Sequence, residues 1–412
     1  MMFVGRVLRL AAMLILVVAV IGTAIVFEAS TVEAKPQVGE NSCQGEDACT
    51  GLAAHVGENS CNGDRACLNN SAKVGDGSCN AEDACFNNRG PVGNGSCNQI
   101  FACLNNSARL GDRSCNHDGA CRENSGAIGD DSCSGPSACS HNSARVGVGS
   151  CNDDEACFNN SGGVGDGSCT SLLACSSNSG QIGDRSCTGN GTCSLNVGPI
   201  GNGSCRAPVN LFIPNETCRS NTGTVGDGSC HVEDACRENA GKVGDLSCTG
   251  LAACESNRGM VGHGSCNGLG FVFLDLSCIH NIGSVGKGSC NDGAACQFNS
   301  GEVGDGSCNG NGACAFNGAE VSDDSCNALA SCNFNIGPVG KRSCNGDWAC
   351  AGAGRPLGDE SCNGKRACFE NSGSVGKRSC NGEEACLNNS GDIGNRQCNG
   401  FQVCKDNTAD IP

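Results

Sequence analysis

Forty cysteines run through the chain in twenty pairs, from Cys43 and Cys49 to Cys398 and Cys404. Members of a pair stand six residues apart and pairs recur every 18. The exceptions are Cys205 with Cys218, which enclose seven extra residues, and Cys266 with Cys278, which enclose six. Cysteine at this density serves either metal thiolates or disulfides. Structural zinc sites place ligands two to four residues apart, and the six histidines, at 55, 117, 141, 231, 263 and 280, follow no column. No metal site is therefore expected, and disulfides are. Inside a pair, Cys-Asn-Gly-x-x-Ala-Cys carries a turn-forming Asn-Gly that can fold the segment back and bring its sulfurs together. This predicts Cys43–Cys49, Cys61–Cys67, Cys79–Cys85, Cys205–Cys218, Cys266–Cys278, Cys380–Cys386, Cys398–Cys404 and the intervening pairs, each closing a loop for about 2 kcal/mol in the chain-entropy account. A second connectivity, joining equivalent cysteines of successive repeats about 4.8 Å apart, stays open on geometry.

The composition requires such staples. With 64 Gly, no Tyr, one Trp and 3% aromatic residues, the 412-residue chain lacks the bulk to fill a large core. Its net charge of −17 speaks against nucleic acid and anionic lipid as partners. The thiol load implies an oxidising compartment. Arg6 and Arg9 precede an apolar run from Leu10 to Phe27, and Val32-Glu33-Ala34 offers small residues for signal cleavage before Lys35. Residues 1–34 are therefore expected to be a signal peptide or an N-terminal membrane anchor. Residues 35–412 form the repeat domain, secreted or held on the extracellular face of the membrane, with the bilayer touched only through an uncleaved N-terminus.

Aligned on the first Cys of each pair, the repeats share columns, as in Val375 to Asp392. Five residues before that Cys stands Val, Ile or Leu in all twenty repeats, and four before it Gly in all but one, Ser322. One before it is Ser in all but one, Gln397. Three residues after the second Cys stands Asn, with Leu52 and Ala353 the exceptions. A period of 18 with one aliphatic residue and many small ones suits a solenoid coil; helical repeats are longer and need a bulky stripe. The expected fold class is all-β: a single elongated β-solenoid, or β-helix, of about twenty 18-residue coils with two Cys per coil, on the order of 95 Å long at strand spacing.

The segment Val375-Gly376-Lys377-Arg378-Ser379-Cys380 resembles one unit of the hexapeptide left-handed β-helix, although the other two hexads of the repeat begin with Asn381 and Leu387. The Cys pair six apart in every repeat resembles the disulfide-stapled β-helices of insect antifreeze proteins, without their regular Thr-x-Thr column. Both resemblances cover roughly residues 38 to 407 at the level of architecture and identify no specific family.

The Asn column, including Asn70, Asn106, Asn160 and Asn389, reads as an interior ladder whose amides bond the coils above and below. Ten Asp, including Asp76, Asp166 and Asp305, with Glu40 and Glu58, stand three residues before the first Cys. They read as a solvated acidic edge rather than a cation site, because Lys287, Lys341, Lys377, Val148 and His263 interrupt them. Sequons at Asn69, Asn94, Asn105, Asn159, Asn190, Asn202, Asn215 and Asn388 follow largely from the repeat. No cluster suggests a nucleophile with its base, so no catalytic residue, enzyme activity or cofactor is expected. The function read here is a non-enzymatic structural, adhesive or protective rod. An ice-binding or cation-binding repeat protein is the alternative. The two insertions are unusually apolar, with Val209, Leu211, Phe212 and Ile213 in the first and Phe271, Val272, Phe273 and Leu274 in the second. With Leu251 between them, they are the candidate interaction patch for an unknown protein or surface partner.

Overall fold

The structure, a computed structural model, describes residues 35–207, 215–268 and 276–412. The chain divides into the units Met1–Pro36 and Gln37–Pro412, and the architecture belongs to the second. The proposed signal or anchor segment and all eight apolar insertion residues of the candidate patch lie outside the described residues, and Leu251 between the insertions lies within them. Among those described, no helix is long and apolar enough to cross a membrane.

The repeat unit is one coil, counted here from its aliphatic residue as position 1. In the coil Val375 to Asp392, four residues take left-handed backbone conformations: Arg378 (φ 58°), Cys380 (φ 54°), Glu384 (φ 53°) and Asn388 (φ 52°). Equivalent positions are left-handed along the chain. Each such residue turns the backbone, so extended residues do not succeed one another as a strand requires. The peptide groups consequently point at the neighbouring coils. Val375, Arg378, Glu384, Cys386 and Asn388 donate backwards, to carbonyls of Pro356, Asp359, Lys365, Ala367 and Phe369, at 2.6–3.0 Å. Gly376, Cys380 and Ser390 donate forwards, to Ile393, Gln397 and Asn407, at 2.7–3.0 Å. Within the coil, Ala385 bonds Gly382 and Asn389 bonds Cys386, closing tight turns.

The all-β expectation is thereby overturned. The described residues contain no helix, sheet or barrel. Their bridges are isolated parallel pairs between position-1 residues, Val38 with Val56 onward to Ile393 with Ile411. The chain stacks as a solenoid built from turns. The single aliphatic column is the one place in each coil where backbone pairing takes a β form. The glycine that follows it is dictated by closeness: a Cβ on Gly57 would stand 2.7 Å from the backbone nitrogen of Asp76 in the next coil.

Six columns fill the interior. Val74, Val146 and their equivalents, alanines such as Ala66 and Ala84, and both cysteines of nearly every coil are buried with Ser and Asn. All twenty disulfides join the two cysteines of one coil, with Cα atoms 5.6–5.9 Å apart. Cys205–Cys218 and Cys266–Cys278 keep that spacing at 5.8 Å despite their insertions.

One peptide reverses over a block of coils. The second Cys normally donates to the coil before, as Cys121 does to Ala102 and Cys332 to Ala313, both at 2.7 Å. Cys193, Cys218, Cys236 and Cys254 instead donate to the coil after, at Thr217, Ala235, Ala253 and Ser277, and their φ is near +55° to +59°. The reversed block reaches from the coil before the first insertion into the second inserted coil. Neighbouring peptides in an axial ladder must share a polarity to bond, so a reversal in one coil extends to the next.

Because each disulfide closes its own coil, the Cys151→Ser/Cys157→Ser double variant should lose protection locally. Amide hydrogen exchange of the folded chain should speed up in residues 128–182 and stay unchanged beyond residue 300. Uniform loss along the chain would show that the coils unfold as one unit.

Candidate functional site

The repeated polar columns form ladders along the stack, and their side chains are bound into it. Asn160 is fully buried. Its Nδ2 donates to Asn142 Oδ1 at 2.8 Å and to the Gly162 carbonyl at 2.7 Å, and its Oδ1 accepts from Asn178 Nδ2 at 2.8 Å. Asn106 and Asn389 hold the same arrangement, and Asn70 begins the series. Ala353 divides it, leaving Asn70–Asn335 and Asn371–Asn407 as separate ladders.

The serine before the first Cys builds a second ladder. Ser60 Oγ donates to the Gly75 carbonyl at 2.8 Å and accepts from the Ser78 N–H at 3.1 Å, so one hydroxyl clips two groups of the next coil. Ser60, Ser78 and Ser168 are buried. A face of regular hydroxyls for binding ice would need this column in water, and it lies in the core.

A third ladder gives the acidic column a bonding role besides that of a solvated edge, where Asp76, Asp166 and Asp305 do lie exposed. Asp166 Oδ1 accepts the Val148 N–H of the preceding coil at 2.8 Å, and Asp305 Oδ1 accepts from Lys287 at 2.7 Å. Asp76 accepts from Glu58, and Asn94 does the same for Asp76. The common chemistry is a short side chain ending in a carbonyl-type acceptor, which Asp and Asn share. Sequence reasoning grouped these residues by charge and so missed that role. The Asn after the first Cys adds a fourth ladder: the Asn98 backbone N–H donates to Asn116 Oδ1 at 3.1 Å, and its Nδ2 donates to the Gly77 carbonyl at 2.9 Å.

Charges pair between coils at the surface. Lys341 meets Asp323 at 2.9 Å, Lys377 meets Asp359 at 2.8 Å and Arg378 meets Glu360 at 2.7 Å. The hydrogen bond from Lys341 holds the Asp323 carboxyl below its ordinary range, helped by the Asp305 N–H. Lys377, with the Lys341 N–H, does the same for Asp359. The densest cluster surrounds Arg237, which bonds Glu255 and, at 3.0 Å, Glu216. Burial works to raise Glu216, and Arg237 and Arg219 outweigh it and hold its carboxyl low. Nearby, burial raises Asp234 and lowers His231. Glu216, Asp234 and Glu255 are all tied to Arg237 by ion pairs.

The sulfur atoms of successive coils also stack: those of Cys79, Cys85 and Cys97 lie within 4.8 Å of one another. Every cysteine is disulfide-bonded, so no thiolate stands ready as a ligand. Of the proposed interaction patch, only Leu251 is described, and it is half-buried. Sequence reasoning overlooked a different apolar feature. His280, Phe298, Phe316 and Phe334 occupy one left-handed position in four successive coils, and their rings stack at 5.0, 5.1 and 4.8 Å. The recurrence of Phe-Asn at intervals of 18 residues was its signal.

Residues 19–118, 69–171, 117–235, 229–330 and 314–412 each match a family described as a domain of unknown function (DUF7640). No curated protein and no solved structure matches the chain.

Asn160→Ala would leave buried partners unbonded and should destabilise its coils by about 2 kcal/mol, whereas exposed Glu155→Ala should cost within about 0.5 kcal/mol; equal losses of exchange protection would contradict the ladder's role. Asp323 and Asp359 titrate lower when folded than the roughly 3.9 of a free Asp. Their contribution is thus present above about pH 4 and lost as pH falls through the folded values. Carboxyl NMR titration should place both below ordinary Asp, and Asp323→Asn, which keeps an acceptor for Asp305, should remove its share of the acid sensitivity. An ordinary titration for both would refute this.

Proposed function

The chain belongs to the DUF7640 family, and from that premise we propose that it is a non-enzymatic structural element, secreted or held on the outer face of the cell membrane, with an adhesive or protective task. The disulfides suggest an extracellular environment, since a reducing cytosol would open bonds of this number. One observation carries the reading: every cysteine pair closes its own coil, and the repeated polar side chains are spent on joining coils. Such a chain invests its chemistry in persistence. Local closure protects each coil separately, so damage at one place leaves distant coils standing. This suits an exposed element that meets proteases, oxidants or mechanical load.

The N-terminus supports export through Arg6 and Arg9 ahead of the apolar run Leu10 to Phe27. The net charge of −17 favours a solvated surface that repels nucleic acid and anionic lipid.

Expression of the full chain in a secretion-competent cell, followed by peptide mapping without reduction, tests the proposal. The chain should appear in the medium, starting near Lys35, or on the outer surface with its N-terminus retained, and Cys61 should be linked to Cys67. Recovery from the cytosol with alkylatable thiols would overturn it.

A further inference from the structure

The ring ladder places three aromatic residues in a column that otherwise varies among Asn, Gly, Ser, Glu, His, Asp and Leu. Position 14 is left-handed in every coil. It holds Asn or Gly at Gly51, Asn69, Asn87, Asn105, Asn159, Gly352 and Asn388, the residues that accept this conformation most readily. Phe298, Phe316 and Phe334 adopt the same conformation with φ of 53°, 57° and 55°. A bulky aromatic there opposes local preference. The fold does not need the rings, because Asn at this position builds the same coil elsewhere.

The rings are nevertheless exposed: 43% for Phe298, 44% for Phe316 and 61% for Phe334. Ile282 and Ile336, two residues beyond the ring position in their coils, are 61% and 68% exposed. Positions 13, 14 and 16 carry no Asp, Glu, Lys or Arg from Ile279 to Gly354, on a chain whose net charge is −17. The rings stack nearly parallel, with interplanar angles of 16° and 6° between the phenylalanines. Their faces are therefore turned to one another and their edges form a straight apolar strip along the stack.

We propose that this strip is a self-association surface, which pairs with the same strip of a second copy of the chain. A partner must offer apolar groups along a line at a pitch near 5 Å, and the strip of another copy has that pitch. Side by side about a two-fold axis, ring edges meet ring edges and aliphatic residues over the length of four coils. The negative charge of the chain opposes contact through its acidic columns, and the strip itself carries none of that charge. A basic partner would instead be drawn to the acidic columns. The strip offers on the order of 500 Å² per copy, the size of a functional patch on a monomer. Two such strips bury about 1,000 Å², which places the contact among weak, reversible ones. The inference extends the structural reading above without depending on it, since the face is the same wherever the chain resides.

Sedimentation velocity on the oxidised full chain, from about 1 to 500 μM in about 0.15 M salt, tests it. Wild type should pass from monomer to dimer within that range, and added salt should strengthen the association by screening like charges. Phe316→Asn/Phe334→Asn restores the residue the column uses elsewhere, so its circular dichroism and melting should be preserved or improved. Its dimer should weaken at least tenfold. A wild type that stays monomeric throughout, or a folded double variant that associates as strongly as wild type, overturns the proposal. If the double variant fails to fold, Phe334→Ser with unchanged circular dichroism supplies the same comparison and must weaken the dimer.

Discussion

Everything in this molecule depends on the direction of its peptide groups. Left-handed residues at four places in a coil turn the backbone so often that its N–H and C=O groups face the coils on either side, as between Arg378 and Asp359 or Cys380 and Gln397. Burial then demands that each of these groups be met. Where the backbone of the next coil cannot do it, a short side chain does. Ser60 meets a carbonyl and an N–H, Asp166 meets an N–H and Asn160 meets a carbonyl beside its own column. The interior is therefore narrow and carries polar columns among its small apolar ones, since a bulky side chain would separate coils whose backbones approach to the contact seen at Gly57 and Asp76.

Axial bonding also makes neighbouring coils answerable to one another. The reversed peptides at Cys193, Cys218, Cys236 and Cys254 form one continuous block, because a forward-pointing N–H needs a backward-pointing carbonyl above it. Thr217 and Ser277, which supply two of those carbonyls, stand where most coils have Ala, and both lie in coils with insertions. An insertion thus alters the stack through polarity as well as through the loop it adds. The disulfides are indifferent to this: Cys205–Cys218 and Cys266–Cys278 span the same Cα distance as their regular neighbours within 0.2 Å.

What could be read in the sequence follows from what residue type encodes. The cysteine spacing and the aliphatic column reveal tandem coils and a disulfide-rich chain, because each repeats one side chain in one role. The β expectation failed because an 18-residue period reports stacking and says nothing of φ. Residues as unlike as Arg378, Cys380, Glu384 and Phe316 all sit in the left-handed region, and none of them announces it. The acidic column is the solvated edge its charges suggest, and only its bonding role was hidden, for a related reason. Asp166 and Asn202 differ in charge, and the stack uses only the oxygen they share. The aromatic ladder had its signal in Phe-Asn recurring every 18 residues, and the structure shows what that spacing does, which is to bring the rings face to face.

Residues the fold requires differ in place from those it tolerates. Positions facing the axis are held to a few short residues: Ser at the hydroxyl ladder, Asn at the amide ladder and Gly beside the aliphatic column. Positions facing water vary from coil to coil, as the fourth position does between Gly77, Arg113, Asp131 and Leu246 while keeping its left-handed turn. A run of like residues at such a free position needs an explanation from outside the coil. Lys341 and Lys377 have theirs in the carboxylates of the preceding coils. Phe298, Phe316 and Phe334 gain stacking from one another, yet their edges stay in water. Ring-on-ring contact explains how the ladder is tolerated, and an external contact is what would explain why it is there.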